Sequence, residues 1–269
     1  VLALLVLPLL LAGVLWLWHR WREQKGKTTD SQPPFRLGVI IALCYLAIAS
    51  HSLLDWMNTY GVRLLMPFDS RWFYGDTLFI IDPWLWLLPA AGVVMVRSEN
   101  FKAASVWGLL AIFATGLILT QGYASVAIIL TWVVALAVVV SLRLRAHSKR
   151  LSQPLTRIGG LILFLYVGVA YGMARQAETV AAERFGQPVQ AQANPVPGAP
   201  FSHRVILAYN TEYQVIVPEG NVYTVPREEA SAVVQAALES KSIQGFVNWM
   251  RFPYWEVEQI SERWRVSLW

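Results

Sequence analysis

His51, Asp55 and Asn58 follow one another at spacings of four and three in "SHSLLDWMNTYG", residues 50–61. At 100° per residue on a helix, the three lie within about 60° of one another on a single face. An imidazole and a carboxylate one turn apart can offer nitrogen and oxygen donors to one divalent ion. His51 and Asp55 are therefore candidate metal ligands. Asn58 is a candidate for the hydrogen-bonding layer behind them. Gly61 is placed to end the helix. A helix end that has merely reached water would present the same residue types, but ionisable groups at membrane depth point to function.

Further carboxylates and cations follow. In "PFDSRWFYGDTLFIIDPWLW" (67–86), Asp76 and Asp82 are candidate catalytic acids or bases. Each also has an ordinary structural role available: an Asx turn after Gly75 for Asp76, and a helix N-cap before Pro83 for Asp82. Arg63 and Arg71 are candidates to bind a substrate phosphate or carboxylate, or to sit among lipid headgroups. His19, His147 and His203 lie away from this group and are not expected as ligands. Cys44, the single cysteine, excludes an intrachain disulfide and a cysteine metal cluster.

The elements that must position these residues are membrane helices. Hydrophobic residues make up 56% of the 269-residue chain and charged ones 14%, with 13 tryptophans and a mean hydropathy of +0.44. Soluble domains carry about 25% charged residues. Apolar runs near 1–18, 36–54, 80–96, 103–120, 122–142 and 158–174 predict six spans. The expected fold class is mainly α: a polytopic helical membrane domain over 1–175, a Pro/Ala linker over 176–201, and a small extramembrane α+β domain over 202–269. In that domain "HRVILAYNTEYQVIVPEG" predicts two strands, "PREEASAVVQAALES" a helix with Pro226 in its first turn, and "FPYWEVEQI" and "RWRVSLW" two more strands. The opening run has neither a basic n-region nor a small-residue cleavage site, so it reads as a spanning helix. The chain itself reads as a fragment of a longer protein, cut at both ends.

Loop charges give the orientation. The loops 19–36 and 143–157 carry five Lys/Arg each, 97–102 carries Arg97 and Lys102, and 55–79 carries two Lys/Arg against three Asp. The positive-inside rule then puts the first, third and fifth loops in the cytoplasm. His51 and the C-terminal domain face the periplasm or exterior. The net charge of +5 belongs to these loops and gives no reason to expect nucleic acid as a partner; the lipid bilayer is the partner expected.

"ASHSLLDWMNTYGVRLLMPF", "RWFYGDTLFIIDPWLW" and "NPVPGAPFSHRVI" together resemble the membrane-bound metal-dependent hydrolases of bacterial inner membranes, described as LexA-regulated. The resemblance covers nearly the whole chain. It implies a hydrolase whose divalent metal, zinc or manganese, is held by His51 and Asp55, with Asp76 or Asp82 as further candidates. It also implies an upstream segment, absent from this sequence, that adds histidines and acids to the site. A metal-activated water attacking an ester or phosphoester of a lipid-like substrate at the non-cytoplasmic face would be the reaction. Two alternatives compete with it: an ion-coupled transporter using His51 and Asp55, and a non-enzymatic scaffold or sensor. Transport predicts polar residues near the midplane of several helices. Spans four to six offer little beyond Ser105, Thr115, Thr120, Ser125 and Thr131.

Overall fold

A computed structural model describes residues 2–26, 34–98, 100–120, 122, 124–145, 148–227, 231–261 and 263–268. Lys27, counted in the loop 19–36, His147, and Glu228 and Glu229 of the expected helix lie outside the described residues. The chain divides into two units, 1–75 and 76–269.

The first unit is a pair of helices, α1 (Leu2–Gln24) and α2 (Leu37–Met57), and the loop after them. Pro8, Ala12 and Cys44 are its buried helical residues. Small side chains at a helix contact let two backbones approach in an apolar solvent, where burial of greasy surface gives no preference for a neighbouring helix over lipid. The Tyr45 hydroxyl donates to the Leu5 carbonyl at 3.1 Å. α1 runs six residues past the expected end of the first span. His19 is therefore helical, stacked on Phe35 at 4.4 Å and paired with Glu23 one turn on.

The second unit holds α3 (Pro83–Arg97), α4 (Phe101–Thr120), α5 (Val126–Leu144) and α6 (Ser148–Phe185), followed by the extramembrane elements. Among the described residues, five helices are long and apolar enough to cross a membrane: α1, α2, α4, α5 and α6. Together with the small C-terminal sheet, they make this a polytopic membrane protein. The element expected as a span over 80–96 is helical only over the 15 residues of α3. Pro83 fixes where that helix begins, since proline suits the first turn and biases the residue before it away from helix.

α3 packs on α6 through small residues. The Ser152 hydroxyl donates to the Gly92 carbonyl at 3.0 Å, and a Cβ on Gly159 would stand 2.5 Å from the Leu88 carbonyl oxygen. Trp132 of α5 is buried, edge-on to Trp84 at 5.2 Å, and its indole N–H donates to the Thr115 hydroxyl at 2.9 Å.

α6 has 38 residues, about 57 Å at 1.5 Å per residue, so it outruns a bilayer core of about 30 Å. Beyond the apolar stretch, Ala174, Ala177, Ala181 and Phe185 recur at helical spacing and pack against Ala193, Val205 and Leu207 of the sheet. Gly186, at φ +96°, follows the last turn.

The sheet is antiparallel, in the order β1 (Gln190–Val196), β2 (Ala199–Ala208), β3 (Glu212–Ile216), β4 (Val222–Pro226). The expected linker over 176–201 is thus corrected. Its first part is the end of α6, and its "NPVPGAPF" portion is a hairpin. Pro195 sits on edge strand β1, where a missing N–H is tolerated, and Pro197-Gly198 makes the turn, with Gly198 at φ +69°. The helix expected from Pro226 also starts later: Pro226 ends β4, and Ser231 caps α7 (Ala232–Leu238). α8 (Lys241–Val247) leads to a separate hairpin, β5 (Trp255–Ile260) and β6 (Arg263–Leu268), where two strands were expected.

Candidate functional site

The last two turns of α2 carry the opening motif. His51 Nε2 lies 3.6 Å from Asp55 Oδ2, with side-chain exposures of 81% and 41%, so both donors are open to a ligand. Asn58 does something else with its oxygen. Its Oδ1 accepts from the backbone N–H groups of Tyr60 at 2.7 Å and Gly61 at 3.3 Å, closing the helix end. Gly61 sits at φ +80°, and a Cβ there would run into the Tyr74 ring. The motif is therefore half helix terminator and half exposed donor pair.

The loop that follows is pinned to the same helix end. The Gly75 N–H donates to the Trp56 carbonyl at 2.6 Å, and a Cβ on Gly75 would stand 2.7 Å from that oxygen. Val62 and Phe73 exchange two backbone hydrogen bonds of 2.9 Å each. Arg63 lies over the Trp72 ring at 5.0 Å, and Arg71 Nε binds Asp69 Oδ2 at 2.6 Å. The backbone N–H of Arg71, then its guanidinium, hold the Asp69 carboxyl below the usual carboxylate range.

Asp76 and Asp82 belong to the second unit, and each has partners of its own. The Arg251 guanidinium donates to both Asp76 oxygens, at 2.7 and 2.8 Å, and Gln192 Nε2 lies 3.5 Å from one of them. Asp82 Oδ1 accepts from the N–H groups of Trp84 and Leu85, at 2.8 and 3.1 Å, and Oδ2 accepts from the Tyr166 hydroxyl at 2.5 Å. Both aspartates are 5% exposed. The N-cap role open to Asp82 at the sequence level is filled, while the Asp76 carboxylate is taken up by Arg251.

Around Asp76, sequence reading missed a partly buried polar cluster. Glu178 of α6 accepts from the Ala193 N–H on edge strand β1 at 2.9 Å and pairs with Arg175 at 2.8 Å. Gln192 donates to Asn194. His203 is half-buried; burial first, then the nearby Arg175 charge, push its pKa below the ordinary imidazole value. The Arg175–Glu178 pair, three residues apart just past an apolar run, was a visible signal. Arg251, 175 positions from Asp76, gave none.

Among the described residues no group of three or more His, Cys, Asp and Glu side chains could hold a metal ion. His51 and Asp55 stand as a pair.

Residues 1–126 match the family described as YdjM inner membrane protein. That segment contains the whole opening motif, the loop after it and Asp76 and Asp82. No curated protein and no solved structure matches the chain. The apolar helices and this similarity agree on a multi-pass inner membrane protein.

Proposed function

We propose that this multi-pass inner membrane protein is a metal-dependent hydrolase in which His51 and Asp55 supply two ligands to a divalent ion. The supporting observation is their geometry. Two donors on one tetrahedral ion, each about 2.0–2.2 Å from it, stand roughly 3.3–3.6 Å apart; Nε2 and Oδ2 are 3.6 Å apart and exposed. Helix α2 holds the pair one turn apart, and the Asn58 cap fixes where that helix stops. Further ligands have to come from outside the pair. Zinc or manganese fits a nitrogen and oxygen donor set of this kind. A bound ion would supply Lewis acidity and an acidified water, suited to cleaving an ester or phosphoester. A lipid-like substrate suits a site at a helix end near the headgroups, with Arg63 and Arg71 within the same loop to meet its phosphate.

Elemental mass spectrometry on the full-length, detergent-purified protein tests this reading. A stoichiometric divalent metal is expected in the wild type and its loss in His51→Ala and in Asp55→Ala. A well-folded wild type without metal, or variants that keep it, would overturn the proposal.

A further inference from the structure

The loop between Gly61 and Gly75 has a feature that the donor pair does not explain. Its tip, Leu64-Leu65-Met66-Pro67-Phe68, is five apolar residues in a row. In the whole chain Phe68 is 80% exposed and Met66 40%. Water is a poor medium for such a surface.

Position says what covers it. α2 has 21 residues, about 31 Å, enough to cross a bilayer core, so its last turn lies at one membrane–water boundary. The loop leaves from that turn and returns to it, since the Gly75 N–H is bound to the Trp56 carbonyl. The Val62–Phe73 bridge closes its neck. The neck carries the residues of a headgroup belt: Arg63 and Arg71, with Trp72 edge-on to Tyr60 at 6.2 Å and stacked with Tyr74 at 6.3 Å. The tip also bonds its own backbone. Phe68 and Asp69 donate to the Leu65 carbonyl at 2.9 and 3.2 Å, and Met66 donates to the Arg63 carbonyl at 3.4 Å. Irregular backbone is not tolerated in the hydrocarbon itself, so the tip's backbone stays in the hydrated interface while its apolar side chains reach toward the acyl chains.

We infer that residues 64–68 form a finger that folds back from the end of α2 onto the phospholipid bilayer, its backbone in the interface and its apolar side chains at the top of the acyl chains, with Arg63, Arg71 and Trp72 at headgroup level. The finger holds the exposed His51–Asp55 face at a fixed depth in the interface. This placement needs no metal and no catalytic role, so it stands or falls separately from the hydrolase reading.

The single cysteine makes the test direct. In full-length protein with Cys44, and any cysteine outside residues 1–269, changed to alanine, Phe68→Cys is labelled with an environment-sensitive fluorophore and reconstituted into phosphatidylcholine/phosphatidylglycerol vesicles. Glu219→Cys, in the turn between β3 and β4, is the reference. Nitroxide lipids labelled near the top of the acyl chain are expected to quench position 68 several-fold more than position 219, and its emission to shift to the blue. Leu65→Cys gives the same reading should Phe68→Cys fold poorly. Quenching at 68 by aqueous iodide but not by nitroxide lipid would overturn the inference. Protection from both would also overturn it, by showing that protein covers the loop.

Discussion

Asp76 adopts φ +50°, in the left-handed region that only short polar side chains visit readily after glycine. What holds it there is its carboxylate, buried and gripped on both oxygens by Arg251. Removing one partner of a buried ion pair costs about 3–5 kcal/mol, because the other charge is left uncompensated. Arg251→Ala is therefore expected to destabilise the second unit by that order, read as a lower melting temperature and faster proteolysis of the C-terminal sheet in detergent. Asp76→Asn combined with Arg251→Met should recover a large part of the loss, since neither charge then remains. A folded Asp76→Asn protein with unchanged melting but no activity would instead give Asp76 a chemical role. His203 adds a pH dependence with a definite sign. Its folded pKa lies below the unfolded value of about 6.5, through burial and then Arg175. Above that value both states are neutral and stability is unaffected. As pH falls through it, the unfolded chain takes up the proton first and stability is lost. Melting between pH 7.5 and 5 should show this fall, and His203→Gln should flatten it. At this scale the sequence displayed the candidate residues and half of their meaning. Asp82 before Pro83 already reads as a cap, but its Tyr166 partner is 84 residues away and no local pattern announces it.

At the scale of elements, the approach of α3 and α6 gives a controlled comparison. Gly159 and its neighbour Gly160 sit side by side on α6 and face different surroundings. A Cβ at 159 would meet the Leu88 carbonyl oxygen at 2.5 Å, a backbone atom that cannot swing aside, whereas at 160 nothing lies within 4 Å. Gly159→Ala should cost about 1–3 kcal/mol through forced separation of the helices. Gly160→Ala should be neutral or stabilising by up to about 1 kcal/mol, from helix propensity. Equal effects on unfolding in bicelles would remove the close contact as their cause. The same helix explains why the domain boundary was hard to read. Hydropathy falls after Ala174, and a drop in hydropathy marks the end of the lipid, not the end of a helix. The alanine stripe 174–177–181 that continues α6 onto the sheet is legible only by period, and alanine is too small to stand out from a linker composition. Proline misled in the same way, because Pro195 and Pro197 suit a disordered linker and an edge hairpin equally well.

For the whole molecule, the question is which side of the membrane carries the C-terminal sheet, and it turns on α3. Its 15 residues span about 22 Å, short of a bilayer core of about 30 Å. If α3 did not cross, the loop 143–157 with its five basic residues would share the side opposite the equally basic loop 19–36, against the positive-inside rule. The residues ahead of α3 resolve the conflict. Leu78–Ile81 are apolar and non-helical, and four extended residues add about 13 Å. Non-helical backbone at that depth requires protein around it; Leu78 and Asp82, at the two ends of the stretch, are buried, while the Ile80 and Ile81 side chains between them are 56% and 45% exposed, as lipid-facing residues would be. We therefore expect 78–97 to complete a sixth crossing, one that hydropathy detects and helix length alone does not, and the C-terminus to face the periplasm. Alkaline phosphatase fused after Trp269 should be active, while green fluorescent protein at the same point stays dark. A fluorescent fusion with inactive phosphatase would put the sheet in the cytoplasm and reduce α3 to a helix that enters the membrane without crossing it. Asp82 would then be the bottom of a re-entrant loop, and its bond to Tyr166 the contact that turns the chain back.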